Sequence, residues 1–178
     1  MTGAVHAFEP FRADHRRVLS RLEELERAIG RSGRGRRLGR GAEAELKDLV
    51  SLLFQQFASH MAAEEHVLYP ALAESFPEAG PSLEPLKSEH AEMRNMLLRL
   101  DELLGRPGGP DRDEQLVVQA QDLVDLLRIH IRKEERAVFT VASRVLTRRE
   151  LSRVADRIAA HRDPAQRGRR PSRKGMRS

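Results

Sequence analysis

The chain has 178 residues, of which 39% are hydrophobic and 33% are charged, with a formal net charge of +5 and no cysteine. This length fits one domain with a core of its own. The lack of cysteine excludes disulfides, iron–sulfur clusters and thiolate ligands, so any metal would be bound by imidazole and carboxylate groups.

Apolar residues recur at alternating steps of three and four in four stretches, and this spacing predicts amphipathic helices that bury one face. The stretches run from Phe11 to Ile29, from Leu46 to Val67, from Leu83 to Leu104 and from Leu116 to Val145. A short fifth helix is predicted from Thr147 to Ile158, because Thr147 and Glu150 have the spacing of a capping box. We therefore predict an all-α fold, an up-down-up-down four-helix bundle with a short fifth C-terminal helix.

Potential caps and glycines mark the ends of these helices. The first helix is expected to end at Gly30. The third should open with Ser82 as its N-cap and end at Gly105. The fourth should follow Asp111, with Glu114 as the acidic partner of that cap.

The charge is distributed unevenly along the chain. Residues 31–40 carry five arginines and no acid, and residues 162–178 carry seven basic residues and one acid, which leaves 20 basic and 26 acidic residues elsewhere, a net charge of −6. We predict an N-terminal tail at residues 1–7, a helical bundle at residues 8–161 and a basic disordered tail at residues 162–178. No apolar run approaches the roughly 20 residues that span a bilayer, and no secretory signal is recognisable, so a cytoplasmic protein is expected.

Six ionisable residues occupy positions where the helical pattern otherwise has apolar side chains. They are His15, His60, Glu64, His90, His130 and Glu134. An unpaired buried charge costs several kcal/mol, and a small domain is stable by only about 5–15 kcal/mol, so this cluster would be hard to sustain without a metal. We predict that these six residues are metal ligands.

The depth of the histidines in the bundle supports a common site. His15 lies 14 residues before Ile29, and His90 lies 14 before Leu104. His60 lies 17 residues after Glu43, and His130 lies 17 after Asp113. At 1.5 Å per residue these spans are roughly 21 and 25 Å, so in alternating topology all four imidazoles fall within about one turn of the same level.

The spacing of His60 with Glu64, and of His130 with Glu134, puts an imidazole and a carboxylate on one helix face, one turn apart. Both pairs lie in a weak internal repeat, HMAAEEHVLYPA against HIRKEERAVFTVA. The repeat predicts a pseudo-twofold site in which two metals each have two histidines and share the two glutamates. Glu65 and Glu135 lie about 100° further round the helix, either supporting the ligands or simply solvated, and they are left out of the ligand set. In the same repeat, Tyr69 and Phe139 are expected to pack in the core.

Imidazole with carboxylate suits iron, manganese or zinc, and affinity alone excludes neither zinc nor copper. Ferritin-like sites use single glutamates with Glu-x-x-His, whereas the single ligands here are histidines and the paired motif is His-x-x-x-Glu. A bridged, six-coordinate pair favours iron, so we expect two iron ions in a bridged di-iron centre.

Four segments, DHRRVL, HMAAEEHVLYP, EHAEM and HIRKEERAVF, resemble the signature segments of the hemerythrin-like (HHE cation-binding) family, over roughly residues 8 to 146. This resemblance implies a di-iron centre with bridging glutamates. It also implies relatives that carry or sense oxygen, respond to nitric oxide, decompose peroxide or sense iron.

The chain departs from the oxygen-carrying hemerythrins at Arg94, where they have a second histidine one turn after the first on the third helix. The set of four histidines and two glutamates resembles the iron-sensing and iron-centre-repair branches, although the latter typically have an N-terminal cysteine region that this chain lacks. Whether Arg94 turns towards the cluster or away from it is left open.

The sequence thus predicts a non-haem di-iron protein that binds, senses or reduces dioxygen, hydrogen peroxide or nitric oxide. The alternative is a non-enzymatic module that stores or senses iron and acts through a partner. The pattern does not decide between turnover and sensing. No specific nucleic-acid partner is expected, because one Tyr and no Trp give no stacking platform, but the basic tail could make weak contacts with a polyanion.

Overall fold

The computed structural model describes residues 7–32 and 38–162, and within them it has five helices and no strand. Helix α1 spans Glu9–Ser32. Helix α2 begins as Arg40–Ala63 and continues through a π-helical segment, π1 (Glu64–Leu68), into Tyr69–Ser75. A 3₁₀ turn, Pro77–Ala79, leads to α3, Gly80–Gly105. Helix α4 begins as Pro110–Lys133 and continues through a second π-helical segment, π2 (Glu134–Val138), into Phe139–Val145, and α5 spans Arg148–Arg162.

The four long helices form a ring, in which α1 packs against α2, α2 against α3, α3 against α4 and α4 against α1. Helix α5 packs against α2 and π1. The prediction of an all-α bundle with a fifth helix is confirmed. Residues 1–6, 33–37 and 163–178, which include most of both predicted tails, lie outside the described residues, and the predicted division at residues 8–161 stays a prediction.

The connections α1–α2 and α3–α4 lie at the same end of the bundle. The backbone N–H of Leu38 donates to Asp113 Oδ2 at 3.0 Å. The buried Arg112 donates from Nη2 to Glu43 Oε1 at 2.6 Å and to the carbonyl oxygen of Arg106 at 3.1 Å. These contacts join residues of both connections, as the depth of the histidines requires.

The core has two apolar clusters. The loop-end cluster includes Leu22, Leu53, Leu97 and Leu127. The α5-end cluster includes Phe8, Phe11, Leu68, Phe139 and Ile158. Along each of the four long helices, the histidine lies between residues of one cluster and residues of the other, so the polar layer separates the two.

The π-helical segments shift the buried face of α4 relative to the sequence prediction. A π segment holds one more residue per turn than the α-helix, and such segments are frequent at functional sites. After Glu134, the regular pattern predicts burial of Val141 and Val145, but both are only half-buried. Ala142 and Leu146 are buried in their place. The prediction was wrong by one residue here because it assumed an uninterrupted α-helix.

Two of the predicted helix starts were also wrong. Helix α3 begins two residues earlier than Ser82, at Gly80, and no side chain caps it. Helix α4 begins at Pro110 after Gly109, again without a side-chain cap, because proline already has the φ angle that the first helical turn needs.

The capping box of α5 is confirmed. The Thr147 backbone N–H donates to Glu150 Oε2 at 2.7 Å, and the Glu150 N–H donates to Thr147 Oγ1 at 3.3 Å. None of the helices in the described part of the chain has the length and apolar character needed to cross a membrane.

Candidate metal centre

The structure brings the six predicted ligand side chains together in the polar layer. All six are buried, with exposed fractions between 0% and 4%. They form two groups that could hold a metal ion, and the ligand atoms of each group lie within 4.8 Å of one another. The first group is His15, His60, Glu64 and Glu134, and the second is Glu64, His90, His130 and Glu134.

The histidines are arranged in two pairs. His15 Nε2 lies 3.1 Å from His60 Nε2, and His90 Nε2 lies 2.9 Å from His130 Nε2. Each pair therefore points two ring nitrogens at the same small volume.

Each glutamate faces both histidine pairs. Glu64 Oε1 lies 3.1 Å from His60 Nε2, and its Oε2 lies 3.5 Å from His90 Nε2. Glu134 Oε2 lies 3.2 Å from His15 Nε2, and its Oε1 lies 3.4 Å from His130 Nε2. The two carboxylates thus connect the two groups, with one oxygen turned to each.

Carboxylates outside the ligand set hold the far side of the first histidine pair. His15 Nδ1–H donates to Glu135 Oε1 at 3.0 Å, and His60 Nδ1–H donates to Asp14 Oδ2 at 3.2 Å. A carboxylate at Nδ1 fixes the proton there and leaves the Nε2 lone pair free to bind a metal.

The second pair repeats this arrangement. His90 Nδ1–H donates to Glu65 Oε1 at 2.8 Å, and His130 Nδ1–H donates to Glu89 Oε2 at 2.9 Å. If α1 and α2 are one half and α3 and α4 the other, His15 and His90 each donate to a carboxylate of the opposite half. His60 and His130 each donate to a carboxylate of their own half. The supporting carboxylates therefore follow the same pseudo-twofold symmetry as the ligands.

Sequence reasoning did not identify Asp14 and Glu89, and it left open the role of Glu65 and Glu135. The signal was present in the sequence, since each of these residues is adjacent to a ligand, as in DH, EH and the two EE pairs. Periodicity could not reveal it, because each of the four acts on a histidine of a different helix.

The ionisation of the two central glutamates is strongly affected by their surroundings. Burial and the carboxylate of Glu134 raise the pKa of Glu64. Burial would also raise the pKa of Glu134, but His130, His15 and His60 outweigh it and hold that pKa well below its usual range.

The histidine pKa values depend on the same carboxylates. Burial would lower the pKa of His60, but Glu64, Asp14 and Glu134 together raise it well above its usual value. Burial likewise opposes charge on His130, and Glu134 raises its pKa to about 9. For His90, burial and the neighbouring His130 lower the pKa to about 4. The carboxylates thus favour positive charge on His60 and His130, whereas burial favours the neutral form of His90.

Two aromatic rings flank the histidines symmetrically, and one of them carries a hydroxyl. Tyr69 stacks on His90 with ring centroids 5.9 Å apart, and Phe139 stacks on His15 at 5.7 Å. The Tyr69 hydroxyl donates to Glu134 Oε1 at 2.6 Å. Burial and the nearby carboxylates of Glu64 and Glu134 raise the pKa of Tyr69, so this hydroxyl keeps its proton. Both rings pack in the core as predicted, but Tyr69 is also a polar partner of the site.

Arg94 turns away from the cluster. Its side chain is 41% exposed, and its Nη1 donates to Glu65 Oε1 at 3.1 Å. Arg94 therefore acts on the site through Glu65, which also accepts from His90. Burial would raise the pKa of Glu65, but the hydrogen bonds from His90 and Arg94 hold it below its usual value.

The donor set fits a pair of cations. Both carboxylate oxygens of Glu64 and the Oε2 of Glu134 are buried without a hydrogen-bond partner. Such buried acceptors are costly unless a cation or donor satisfies them. Four imidazole nitrogens and four carboxylate oxygens are suitable ligands for iron, manganese or zinc.

The family model of the Hemerythrin HHE cation binding domain matches residues 6–142. This match covers α1, α2, α3 and α4 as far as Ala142, and it includes all six candidate ligands and all four supporting carboxylates. No curated protein matches the chain.

Proposed function

Because the chain belongs to the hemerythrin HHE cation-binding domain family, we propose that it is a non-haem di-iron protein that binds, senses or reduces a small oxidant. Membership implies iron or cation binding by histidine and glutamate, and small ligands such as dioxygen. The proposed oxidants are dioxygen, hydrogen peroxide and nitric oxide.

The observation that carries the proposal is the position of Glu64 and Glu134 between the two histidine pairs. Each has one oxygen towards each pair, at 3.1–3.5 Å from the nearest imidazole nitrogen. In a site for one ion, one of the pairs would have no role, whereas two ions use all four imidazoles and both carboxylates. Paired metals held by shared carboxylates are a recurrent arrangement in helical bundles.

We assign one ion to His15 and His60, the other to His90 and His130, and both to Glu64 and Glu134. Iron bound there supplies one-electron redox chemistry and coordination positions for a small ligand. The four supporting carboxylates orient the imidazoles. The loop-end cluster and the α5-end cluster lie on either side of the polar layer and keep bulk water out. The Tyr69 hydroxyl donates a hydrogen bond to Glu134 Oε1, the carboxylate oxygen that faces His130.

A second candidate, an iron-storing or iron-sensing module, is favoured by the burial of Glu64 and Glu134. Both are fully buried, and three of their four oxygens have no hydrogen-bond partner. Folding should therefore depend on metal binding, which is the property that an iron sensor requires. Turnover separates the two candidates, because a catalyst consumes many equivalents of oxidant per site and a sensor consumes about one equivalent.

Elemental analysis of the purified protein tests the proposal. About two iron ions per chain are expected for a bridged pair.

A cytoplasmic location and weak contact of residues 162–178 with polyanions stay predictions. Loss of salt-sensitive retention on heparin after deletion of residues 162–178 would support the second of them.

A further inference from the structure

The pseudo-twofold symmetry of the site breaks in the layer of side chains next to it, on the α5 side. Beside His15, this layer is filled by aromatic rings. Phe8 and Phe139 stack with centroids 5.1 Å apart and an interplanar angle of 1°, and Phe11 lies 5.9 Å from Phe139. The three rings are between 0% and 1% exposed, so they close this side of the site.

In the other half, smaller side chains stand at the positions that match Phe8 and Phe11. Phe8 and Phe11 lie seven and four residues before His15, and Leu83 and Leu86 lie seven and four residues before His90. A cavity of about 360 Å³ lies against these two leucines. Its wall is mainly apolar, and its rim carries exposed side chains, Phe76, Glu78 and Pro85.

The inner wall of this cavity is one helical turn from the candidate ligands. Leu86 lies four residues before His90, and Val138 lies four residues after Glu134. Leu72 lies three residues after Tyr69, the donor to Glu134. Three helices thus each place one cavity residue about 4.5–6 Å along the axis from a residue of the site.

The two π segments differ in the same sense. Val67 in π1 is 4% exposed, and α5 packs against this segment. Its counterpart in π2, Ala137, is exposed and lines the cavity. The second half of the site is therefore less covered by side chains than the first, from the leucines of α3 to the segment π2 that carries Glu134.

We propose that a small, uncharged, apolar molecule, dioxygen or nitric oxide, enters through this cavity and reaches the metal pair from the His90–His130 side only. The proposal rests on the proposed function and adds the route and the ligand class. An apolar, concave wall with few polar groups favours such molecules over hydrogen peroxide. The stacked phenylalanines close the equivalent route to His15 and His60.

Xenon is a direct probe of the route, because it occupies apolar cavities without any chemistry at the metal. Crystals of the iron-loaded protein pressurised with xenon should show a xenon atom beside Leu83 and Leu86, and none beside Phe8 and Phe11. Xenon confined to other places, or absent, would overturn the proposal. This result does not depend on which metal is bound, so it is separable from a failure to find iron.

A matched pair of substitutions tests the route in solution. Val141→Phe fills the cavity from its half-buried wall, and Val118→Phe puts the same change on an exposed position of α4 at the other end of the bundle. Val118 lies 12 residues before His130, roughly 18 Å along the helix. Ser82→Phe, at an exposed position of the rim, is the second plug should Val141→Phe not fold.

The rate constants for nitric oxide and for dioxygen with the reduced, iron-loaded protein should fall several-fold in Val141→Phe or Ser82→Phe and stay unchanged in Val118→Phe. The rate for hydrogen peroxide should change least. Equal rates in wild type and the folded plug variants, at equal iron content, would contradict the route.

Discussion

The Tyr69 hydroxyl donates to Glu134 Oε1 at 2.6 Å, although the two residues belong to opposite halves of the internal repeat. Phe139 has the position of Tyr69 in the other half, and neither oxygen of Glu64 has a hydrogen-bond partner. One bridging carboxylate therefore has a protein donor and the other has none. The ligand set is thus symmetric, but the hydrogen bonding of its two glutamates is not.

We predict that Tyr69→Phe destabilises the iron-loaded protein by about 1–3 kcal/mol, because Glu134 loses a buried donor to a charged acceptor. The phenylalanine ring keeps its stacking on His90, so the change isolates the hydroxyl. Urea unfolding followed by circular dichroism measures the difference. An unchanged unfolding midpoint would mean that the hydroxyl contributes nothing to the stability of the site.

The four supporting carboxylates give the second prediction. Asp14→Asn and Glu89→Gln should each weaken iron binding by about 10–100-fold, because the imidazoles of His60 and His130 lose the partner that orients them. Glu92→Gln, an exposed position on the same helix as Glu89, is the control and should bind iron as wild type does. The affinity is measured by anaerobic titration with ferrous iron against a competing chelator. Equal affinity in all four proteins would show that these carboxylates are not needed.

The capping box of α5 gives a prediction on pH. The hydrogen bonds from Thr147 lower the pKa of Glu150, so its contribution to stability is fully present above the ordinary glutamate pKa, about 4.3, and is lost as the pH falls through the lowered value. Glu150→Ala should therefore unfold at lower temperature than wild type at neutral pH, and the difference in Tm should shrink in acid. Thermal unfolding at several pH values measures it, with Ser152→Ala, an exposed position on the same helix, as the control. A difference that is constant across this range would exclude the carboxylate as its cause.

The sequence was sufficient to predict the helices and the six candidate ligands because both depend on the period of the α-helix. His15, for example, stands in line with Phe11, Val18 and Leu22, and its ionisable ring is the exception in an apolar seam. The same period misled where the chain departs from it. The segment π2, which begins at Glu134, moves burial from Val141 to Ala142. No residue type in its sequence, EERAV, indicates that a π segment forms there.

Relationships across the bundle were beyond the reach of the sequence pattern. The difference between Tyr69 and Phe139 is visible in the repeat, but its consequence depends on which carboxylate faces the hydroxyl. The direction of Arg94 was decided by Glu65, a partner on another helix that pairs with it at the protein surface. Such pairings depend on the relative rotation of neighbouring helices, which residue spacing along one helix does not determine.

Reaction with oxygen gives the fourth prediction. Arg94 stands where the oxygen carriers have a histidine, and it is engaged with Glu65 rather than with the cluster. We expect air to oxidise the reduced, iron-loaded protein within minutes and irreversibly, and the protein to consume hydrogen peroxide or nitric oxide. Stopped-flow mixing with oxygenated buffer measures the reaction. A colour change that reverses on deoxygenation would instead identify an oxygen carrier.

The iron content of three purified proteins is the most direct test of the paired site. Wild type and His66→Ala, which changes an exposed histidine of π1, should contain about two iron ions per chain and have the same Tm. His130→Ala should lose iron and melt at a lower temperature, because the free energy of metal binding is part of the free energy of folding. One iron ion per chain in wild type, zinc in place of iron after anaerobic reconstitution, or a His130→Ala protein as iron-rich and stable as wild type would contradict a di-iron centre in the core of this bundle.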